Sequence, residues 1–372
     1  MSSPNRKMVT IRRVDRIDPI EGADRIEVAS VGGWRVVVKK GEFHVGDLAL
    51  YHEIDSFLDT SRPEYSFLDA TKEMVIDGET RKGHVLRSRK MRGVVSQGLL
   101  LDPHEVFDMS DEKLTELCDK KANMSRACGV VEYYKPMPLG AKDFIGRYDS
   151  RYAPRTDAER AQNVDQETWD MVKQTYYEVS VKVDGTSITI CKPSEDEELA
   201  IFSHNNRFAL DRGMGKLVLD VATKQSLVDF CKANPGKTLQ CELCGPKIQS
   251  DRLRLGRHRL FVFSVYDMEE RRYLSWTELD GIEHLDGVFA SYVPVVSTGR
   301  LLDQFETPSD FLAYADGIRD NVTKGCLDEG LVVHIYDKDM LSDSDWLKLR
   351  DTLGDQLQVK AVSNKFLLKV KE

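Results

Sequence analysis

The sequence lacks the features that mark several large classes of protein. No apolar run approaches the roughly 20 residues that a helix needs to cross a membrane, so the sequence predicts no membrane partner. No segment has the GxxxxGK(S/T) pattern of a Walker phosphate-binding loop. Long repeats and low-complexity segments are also missing, which argues against a repeat architecture.

Cysteine is scattered, with seven residues in a chain of 372. No secretory signal opens the chain, so we expect reduced thiols in an intracellular protein, with no indication of the compartment. Cys241 and Cys244 form a single CxxC pair, whereas a structural zinc site needs a second pair with matching spacing. The other cysteines supply no such pair, so the sequence does not favour zinc.

The length and the charge of the chain fit a globular protein of two domains. Of its 372 residues, 41% are hydrophobic and 31% are charged, and its net charge is −9. This net charge argues against indiscriminate coating of nucleic acid. It leaves room for local basic patches, which therefore stand out against the rest of the chain.

Residues 7 to about 105 have the pattern of an all-β domain, with short alternating segments and a turn signal at Gly32 and Gly33. Short strands at this spacing predict a small barrel. Six basic residues fall close together within it: Arg81, Lys82, Arg87, Arg89, Lys90 and Arg92. They form either a solvated edge strand, where charge blocks aggregation, or a groove that contacts phosphate.

Two further features stand out beyond this domain. Residues 131–155 carry Pro136, Pro138 and Pro154 and are typical of a connector, and residues 156–159 (TDAE) match a capping box that predicts a helix start. A second basic cluster follows later in the chain: Arg252, Arg254, Arg257 and Arg259.

Residues 177–187 (YEVSVKVDGTS) predict a strand that presents a lysine. Alternation puts Lys182 and Asp184 on one face, opposite the valines that pack: Val179, Val181 and Val183. Gly185 then permits a tight turn and the close approach of a ligand. A free lysine, with a pKa of about 10.4, becomes a nucleophile only when desolvation or a nearby cation lowers that pKa. The alternative is an exposed strand with an ion pair.

Three acids are candidates for holding a hard divalent cation, because each lies on or beside a predicted strand: Asp184, Glu242 and Glu329. Taken singly, each is also explained as an ordinary exposed acid.

Six stretches in order resemble the nucleotidyltransferase motifs of ATP-dependent polynucleotide ligases. They are residues 182–185 (KVDG), 203–207 (SHNNR), 239–243 (LQCEL), 261–263 (FVF), 328–333 (DEGLVV) and Lys360. Residues 22–27 (GADRIE), 33–42 (GWRVVVKKGE) and 46–47 (GD) resemble the amino-terminal OB barrel of one clade of RNA ligases that seal nicks.

The resemblance implies an α+β protein. An OB-fold nucleic-acid-binding domain (1–130) and a connector (131–155) would precede a nucleotidyltransferase domain (156–372), which is ATP-grasp-like, with antiparallel sheets and flanking helices. It also implies an enzyme that uses ATP and Mg²⁺ or Mn²⁺ to join a 3′-OH and a 5′-phosphate at a nick in an RNA duplex. We expect a monomer and infer no protein partner.

The resemblance also assigns roles. Lys182 would attack the α-phosphorus of ATP to form lysyl-AMP, with the cation held by Asp184, Glu242 and Glu329. The nucleotide would contact Glu242 and a further set: Asn206, Arg207, Phe263 on the adenine (rather than Phe261), Lys360 and Lys365. The RNA would contact Arg87, Arg89, Lys90 and Arg92.

Two departures from the family pattern leave alternatives open. The chain ends twelve residues after Lys360, without the carboxy-terminal OB domain of DNA ligases and capping enzymes, which favours an RNA ligase. The last motif is usually Lys-x-Lys, but here the next lysine after Lys360 is Lys365. The alternatives are an OB protein with an inactive ligase-like domain and a ligase that also accepts DNA.

Overall fold

The computed structural model describes residues 6–134 and 142–368, which form two compact units, one on each side of the gap. The first unit is built from antiparallel strands and two helices, and the second is a mixed α+β unit, so the predicted α+β class is confirmed. In these two segments, no helix is both long enough and apolar enough to span a membrane.

The first unit contains twelve strands among its described residues. They are β1 (Val9–Arg13), β2 (Arg16–Pro19), β3 (Ile26–Val31), β4 (Trp34–Lys39), β5 (Leu48–His52), β6 (Ser56–Asp59), β7 (Lys72–Ile76), β8 (Glu79–Val85), β9 (Arg89–Met91), β10 (Val94–Ser96), β11 (Leu99–Leu101) and β12 (Val131–Glu132). The helices α1 (Pro103–Val106) and α2 (Asp111–Asp119) follow β11. The strand orders are β1-β5-β11, β2-β3-β4, β12-β6-β8-β7 and β10-β9.

The hairpin of β3 and β4 illustrates why this unit folds as predicted. Trp34, Val36 and Val38 are buried on one face of β4, and they alternate with residues that are exposed or half-buried. Gly32, with φ of +60°, lies in the two-residue turn, where a side chain would be strained. The local pattern therefore fixes both the register and the buried face of this hairpin.

The second unit holds the remaining strands and helices. Its strands are β13 (Phe144–Arg147), β14 (Glu159–Arg160), β15 (Tyr176–Lys182), β16 (Thr186–Cys191), β17 (Ala200–Ser203), β18 (Asn206–Phe208), β19 (Lys237–Cys244), β20 (Arg259–Asp267), β21 (Arg272–Leu274), β22 (Val295–Ser297), β23 (Gly330–Asp337) and β24 (Gln358–Val362). Its helices are α3 (Gln166–Val172), α4 (Gly213–Lys224), α5 (Leu227–Ala233), α6 (Trp276–Leu279), α7 (Leu285–Ser291), α8 (Pro308–Ala315), α9 (Asp343–Leu353) and α10 (Asn364–Leu368).

Two sheets organise this unit. A seven-stranded sheet has the order β13-β18-β17-β16-β19-β20-β21, and a five-stranded sheet has the order β14-β24-β23-β15-β22. One apolar core packs α4, α5 and α7 on the first sheet, and a second packs α3, α8 and α9 on the other. The chain crosses from β15 in one sheet to β16 in the other through Val183, Asp184 and Gly185. Lys182 therefore lies at the junction of the two sheets.

The structure differs from the predicted connector at both of its ends. Val131–Glu132 pairs with β6 in the first unit, and Phe144–Arg147 pairs with β18 in the second. Pro136 and Pro138 lie outside the described residues. The predicted helix start at residues 156–159 is wrong, because Glu159–Arg160 forms a short parallel pair with β24.

Candidate functional site

A cleft between the two sheets of the second unit contains Lys182. Four of the predicted site residues line it, namely Lys182, Glu242, Phe263 and Lys360. The cleft is also lined by Thr156, Ala158, Ser180, Val181, Val183, Val293, Val332, His334 and Gln358. The fold thus brings these four residues to one cleft, although they are up to 178 positions apart in the chain.

Lys182 forms an ion pair with Glu329 at the edge of this cleft. The register of β15 and β23 pairs Lys182 with Gly330, which places the preceding residue, Glu329, beside the lysine. The Nζ of Lys182 donates a hydrogen bond to Oε2 of Glu329 at 2.7 Å. Both side chains are largely buried, with 26% of Lys182 and 14% of Glu329 exposed. Burial tends to lower the pKa of Lys182, but the neighbouring carboxylates of Glu329, Glu242 and Asp184 outweigh it and raise that pKa.

Glu242 and Asp184 add negative charge to the same place. Burial raises the pKa of Glu242 to about 8, and the carboxylates of Glu329 and Asp184 also raise it. Burial, followed by the charge of Glu329, raises the pKa of Asp184 as well. Arg252 is a second cation near these acids, with its Nε 3.9 Å from Oδ2 of Asp184. The three acids therefore lie close to both Lys182 and Arg252.

This acid cluster suits a divalent cation in charge and in chemistry. Carboxylate oxygens are the ligands that Mg²⁺ and related hard ions prefer. Burial first, and then the repulsion between these carboxylates, raises the pKa values of Asp184 and Glu242, and a bound cation would oppose both effects. In residues 6–134 and 142–368, no three His, Cys, Asp or Glu side chains are already arranged around one metal position. Glu329 is instead engaged by Lys182.

The aromatic wall of the cleft is formed by Phe263. It lies in β20 next to a bulge in the pairing with β19, and its carbonyl accepts a hydrogen bond from the Tyr292 hydroxyl at 3.2 Å. Phe261, two residues earlier, is buried in an apolar cluster with Val183 and Leu253. Phe263 therefore lies where a ligand in the cleft could contact it, whereas Phe261 does not.

Sequence reasoning did not select the polar groups on the opposite wall. Ser180 Oγ lies 2.9 Å from His334 Nε2, and Gln358 Nε2 donates to Ser264 Oγ at 3.3 Å. His334 is buried, which lowers its pKa to about 4, and its Nδ1 has no hydrogen-bond partner among the described residues. Alternation along the strands could have identified two of these residues. Ser180 and Gln358 each precede a lysine of the cleft by two residues and therefore lie on the same face of the strand as that lysine.

The next two predicted residues, Asn206 and Arg207, lie in β18, directly after the turn at residues 204–205 that joins it to β17. Neither lines the cleft. Asn206 is buried, with 6% exposed, and its Oδ1 lacks a hydrogen-bond partner in the described part of the chain. His204, in that turn, has its Nε2 3.7 Å from Oδ1 of Asp157, which neighbours the cleft residue Thr156. The turn therefore lies beside one end of the cleft.

The two candidate lysines of the last motif occupy different places. Lys360 lies in β24 and lines the cleft. Lys365 is exposed on α10 and does not line it. Arg252 connects α10 to the acid cluster, since its guanidinium donates to the carbonyl of Phe366 at 3.0 Å and also faces Asp184.

The basic run of the first unit divides into neutralised and unpaired residues. Arg81 pairs with Asp59, Lys82 with Glu73, and Arg87 with Asp55. Three other residues are exposed on the hairpin of β9 and β10, with no hydrogen bond or ion pair from their side chains within the described segments: Arg89, Lys90 and Arg92. The structure therefore separates Arg87 from the other three predicted contacts.

Comparisons with known proteins match both units. An OB-fold domain model matches residues 8–103, and an RNA ligase family model matches residues 175–350. A comparison of the sequence with curated proteins finds no match.

Solved structures of the Naegleria gruberi RNA ligase are similar to nearly the whole chain. A mutant with AMP and Mn has a TM-score of 0.76 and 27% identity, covering 97% of this chain and 98% of that chain. A mutant with ATP and Mn has a TM-score of 0.73, 26% identity and the same coverage. An apo mutant has a TM-score of 0.74 and 27% identity and covers 97% of both chains. The two units of this chain therefore follow each other in the same order as in the Naegleria gruberi RNA ligase structures.

Proposed function

We propose that this chain, a member of the RNA ligase family with an amino-terminal OB-fold domain, uses ATP to seal nicks in RNA duplexes. The observation that carries the proposal is the position of Lys182. It lies in a cleft between two sheets, against three carboxylates, with Lys360 and Phe263 on the same walls. A lysine, acids for a divalent cation and an aromatic face in one place support the formation of an adenylate on Lys182.

In the first step, Lys182 Nζ attacks the α-phosphorus of ATP, a P–N bond forms, and pyrophosphate leaves. The attack needs a neutral amine, whereas the carboxylates around Lys182 favour its ammonium form. We assign Asp184, Glu242 and Glu329 to a divalent cation, Mg²⁺ or Mn²⁺, which when bound supplies positive charge to the triphosphate. With a cation held by them, the three carboxylates would favour the ammonium form of Lys182 less strongly.

Other cleft residues would orient the nucleotide during this step. Phe263 offers a face on which adenine can stack, and Lys360 offers charge to the α-phosphate. The unpartnered Oδ1 of Asn206 would accept a hydrogen bond from a ribose hydroxyl, and Arg207 would contact ribose or RNA phosphate. Lys365 remains a second candidate for the α-phosphate.

In the later steps, the AMP moves to the 5′-phosphate of the RNA, and the 3′-OH across the nick then attacks that phosphate and releases AMP. A duplex must be held for both steps, and the exposed basic residues of the first unit are our candidates for this contact: Arg87, Arg89, Lys90 and Arg92. We propose that the protein acts as a monomer.

The test is to incubate the protein with labelled ATP and Mg²⁺ or Mn²⁺, and then with a nicked duplex. We expect one AMP per chain, followed by label in AMP released as the nick is sealed. Duplexes with a deoxynucleotide on either side of the nick determine whether DNA is accepted. Failure to form a covalent adduct with either metal would exclude the proposal and favour the inactive OB-protein alternative.

A further inference from the structure

Three residues of the second basic cluster, Arg252, Arg254 and Arg257, lie on a loop that contacts the chain segment directly after Lys182. This loop, residues 245–258 between β19 and β20, is called the basic loop here. Its Gln249 Nε2 donates to the carbonyl of Gly185 at 3.1 Å. Leu253 is buried in an apolar cluster with Val183. The basic loop is therefore held against the Lys182 segment by both a polar and an apolar contact.

The charge of this region is opposite to the charge of the chain. Residues 247–259 contain five Lys or Arg and one acid, Asp251, whereas the whole chain has a net charge of −9. Two of the five cations are engaged within the fold. Arg252 donates to the carbonyl of Phe366 at 3.0 Å and its Cζ lies 4.2 Å from the centre of that ring, and Arg259 donates to the carbonyl of Ala290 at 2.9 Å.

The other three cations are not engaged in this way. Lys247, Arg254 and Arg257 are exposed, and within residues 6–134 and 142–368 their side chains make no hydrogen bond or ion pair. Lys247 has φ of +66° and Arg254 has φ of +50°, a region that residues other than glycine rarely adopt. Leu253, which lies between them in the sequence, is buried and anchors this part of the loop, while the three cations stay exposed.

We propose that Lys247, Arg254 and Arg257 bind phosphates of the RNA backbone beside the nick. This inference rests on the proposed function and names the part of the catalytic unit that holds its substrate. Exposed cations on one loop suit the negative charge of a nucleic-acid strand, and arginine suits phosphate because its donors form a planar fork. The contact with Gly185 places this surface next to the reacting lysine.

The experiment compares two triple variants of the full chain that lose the same charge. One carries Lys247→Ala, Arg254→Ala and Arg257→Ala. The control carries Lys224→Ala, Lys232→Ala and Arg271→Ala, which removes three exposed cations that do not line the cleft. Binding of a fluorescent nicked RNA duplex is measured over a series of KCl concentrations with divalent metal chelated, and lysyl-AMP formation is measured separately.

We expect the basic-loop variant to form lysyl-AMP as the wild type does and to bind the duplex roughly tenfold or more weakly at low salt. Its slope of log affinity against log salt should be smaller than that of the control by about two to three, because three phosphate contacts are lost. Equal slopes for the two variants would overturn the proposal. So would loss of lysyl-AMP in the basic-loop variant, since the loop would then only support the cleft.

Two further readouts separate related ideas. If the basic-loop variant kept its duplex affinity but lost binding to poly-glutamate, the surface would fit an acidic protein, and the RNA proposal would be wrong. If wild type formed no lysyl-AMP but the duplex slopes still differed as expected, the proposed catalytic function would fail while the RNA-binding surface stood.

Discussion

The Nζ of Lys182 donates a hydrogen bond to Oε2 of Glu329 at 2.7 Å, across the pairing of β15 with β23. This ion pair holds the lysine as an ammonium, because the surrounding carboxylates raise its pKa against the effect of burial. An ammonium group has no free electron pair, so Lys182 cannot attack phosphorus while the carboxylates around it favour its protonated form. The ion pair thus connects the metal requirement of the proposed reaction to the protonation of Lys182.

Replacing Lys182 with alanine should abolish adenylylation and leave the fold intact. The packing of β15 depends on its buried valines, whereas Lys182 lies at the end of the strand. Mass spectrometry after mixing with ATP and magnesium should show one added AMP on wild type and none on the variant. Lys216→Ala, which changes an exposed lysine of α4, is the matched control and should be labelled normally. A variant labelled like wild type would refute the assignment of Lys182.

Removing Glu242 or Glu329 should slow sealing on the order of a hundredfold or more, as for other preorganised electrostatic groups. Both carboxylates act on Lys182 and are assigned to the cation. Glu242→Ala and Glu329→Ala are compared with Glu198→Ala, which changes an exposed acid outside the cleft. Single-turnover sealing at saturating ATP is the measurement. Either acid would leave the metal set if its variant sealed at the rate of the Glu198 control.

The ordered motifs predicted the residues of the cleft better than local signals predicted where secondary structure begins. Lys182, Glu242, Phe263 and Lys360 line the cleft, and the family comparisons confirm the resemblance on which they were chosen. The capping-box signal at residues 156–159 failed because Glu159 pairs with Val359, 200 positions later. Such distant pairing overrides a local preference and leaves no trace in a single sequence.

The pairing of charges was also hidden from the sequence. The basic run at residues 81–92 reads as one patch, but its ion pairs with Asp59, Glu73 and Asp55 come from acids that are 9 to 32 positions away. The buried contact of Ser180 with His334 has the same cause, since it joins two strands that lie 154 positions apart. Alternation gives the face of each strand, but not the neighbour that it meets.

The exposed hairpin of the first unit should be needed for sealing but not for adenylylation. Arg89→Ala, Lys90→Ala and Arg92→Ala together remove three unpaired cations, whereas the control removes three ion-paired ones, Arg81, Lys82 and Lys113. We expect normal lysyl-AMP in both variants, but sealing of nicked RNA reduced roughly tenfold or more only in the first.

The two labels are followed in parallel, one on the protein and one in sealed RNA. Equal loss of both labels in the hairpin variant would mean that the barrel only supports the catalytic unit. Loss of neither would identify residues 81–92 as a solvated edge, the alternative that their charge pattern leaves open.

The two lysines of the last motif should differ in their effect on the first step. Lys360 lines the cleft and is our proposed contact for the α-phosphate, so Lys360→Ala should reduce the rate of lysyl-AMP formation about a hundredfold. Lys365 is exposed on α10, and Lys365→Ala should cost much less. Rates of pyrophosphate release decide between them. A larger loss at Lys365 would show that it takes over the role of the usual second lysine.

Acidification should destabilise the protein through His334. Burial lowers the pKa of this imidazole from 6.5 to about 4, so the unfolded chain binds the proton more readily than the folded one. The stability contributed by the neutral imidazole is present above pH 6.5 and is lost as the pH falls toward 4, at a cost on the order of 3 kcal/mol.

His334→Gln cannot titrate, and its free energy of unfolding should fall less between pH 7 and pH 4.5 than that of wild type. Urea titrations at both pH values give the comparison, with the exposed His284→Gln as the control, which should behave as wild type does. An equal loss in His334→Gln and wild type would mean that His334 is not held neutral in the folded protein.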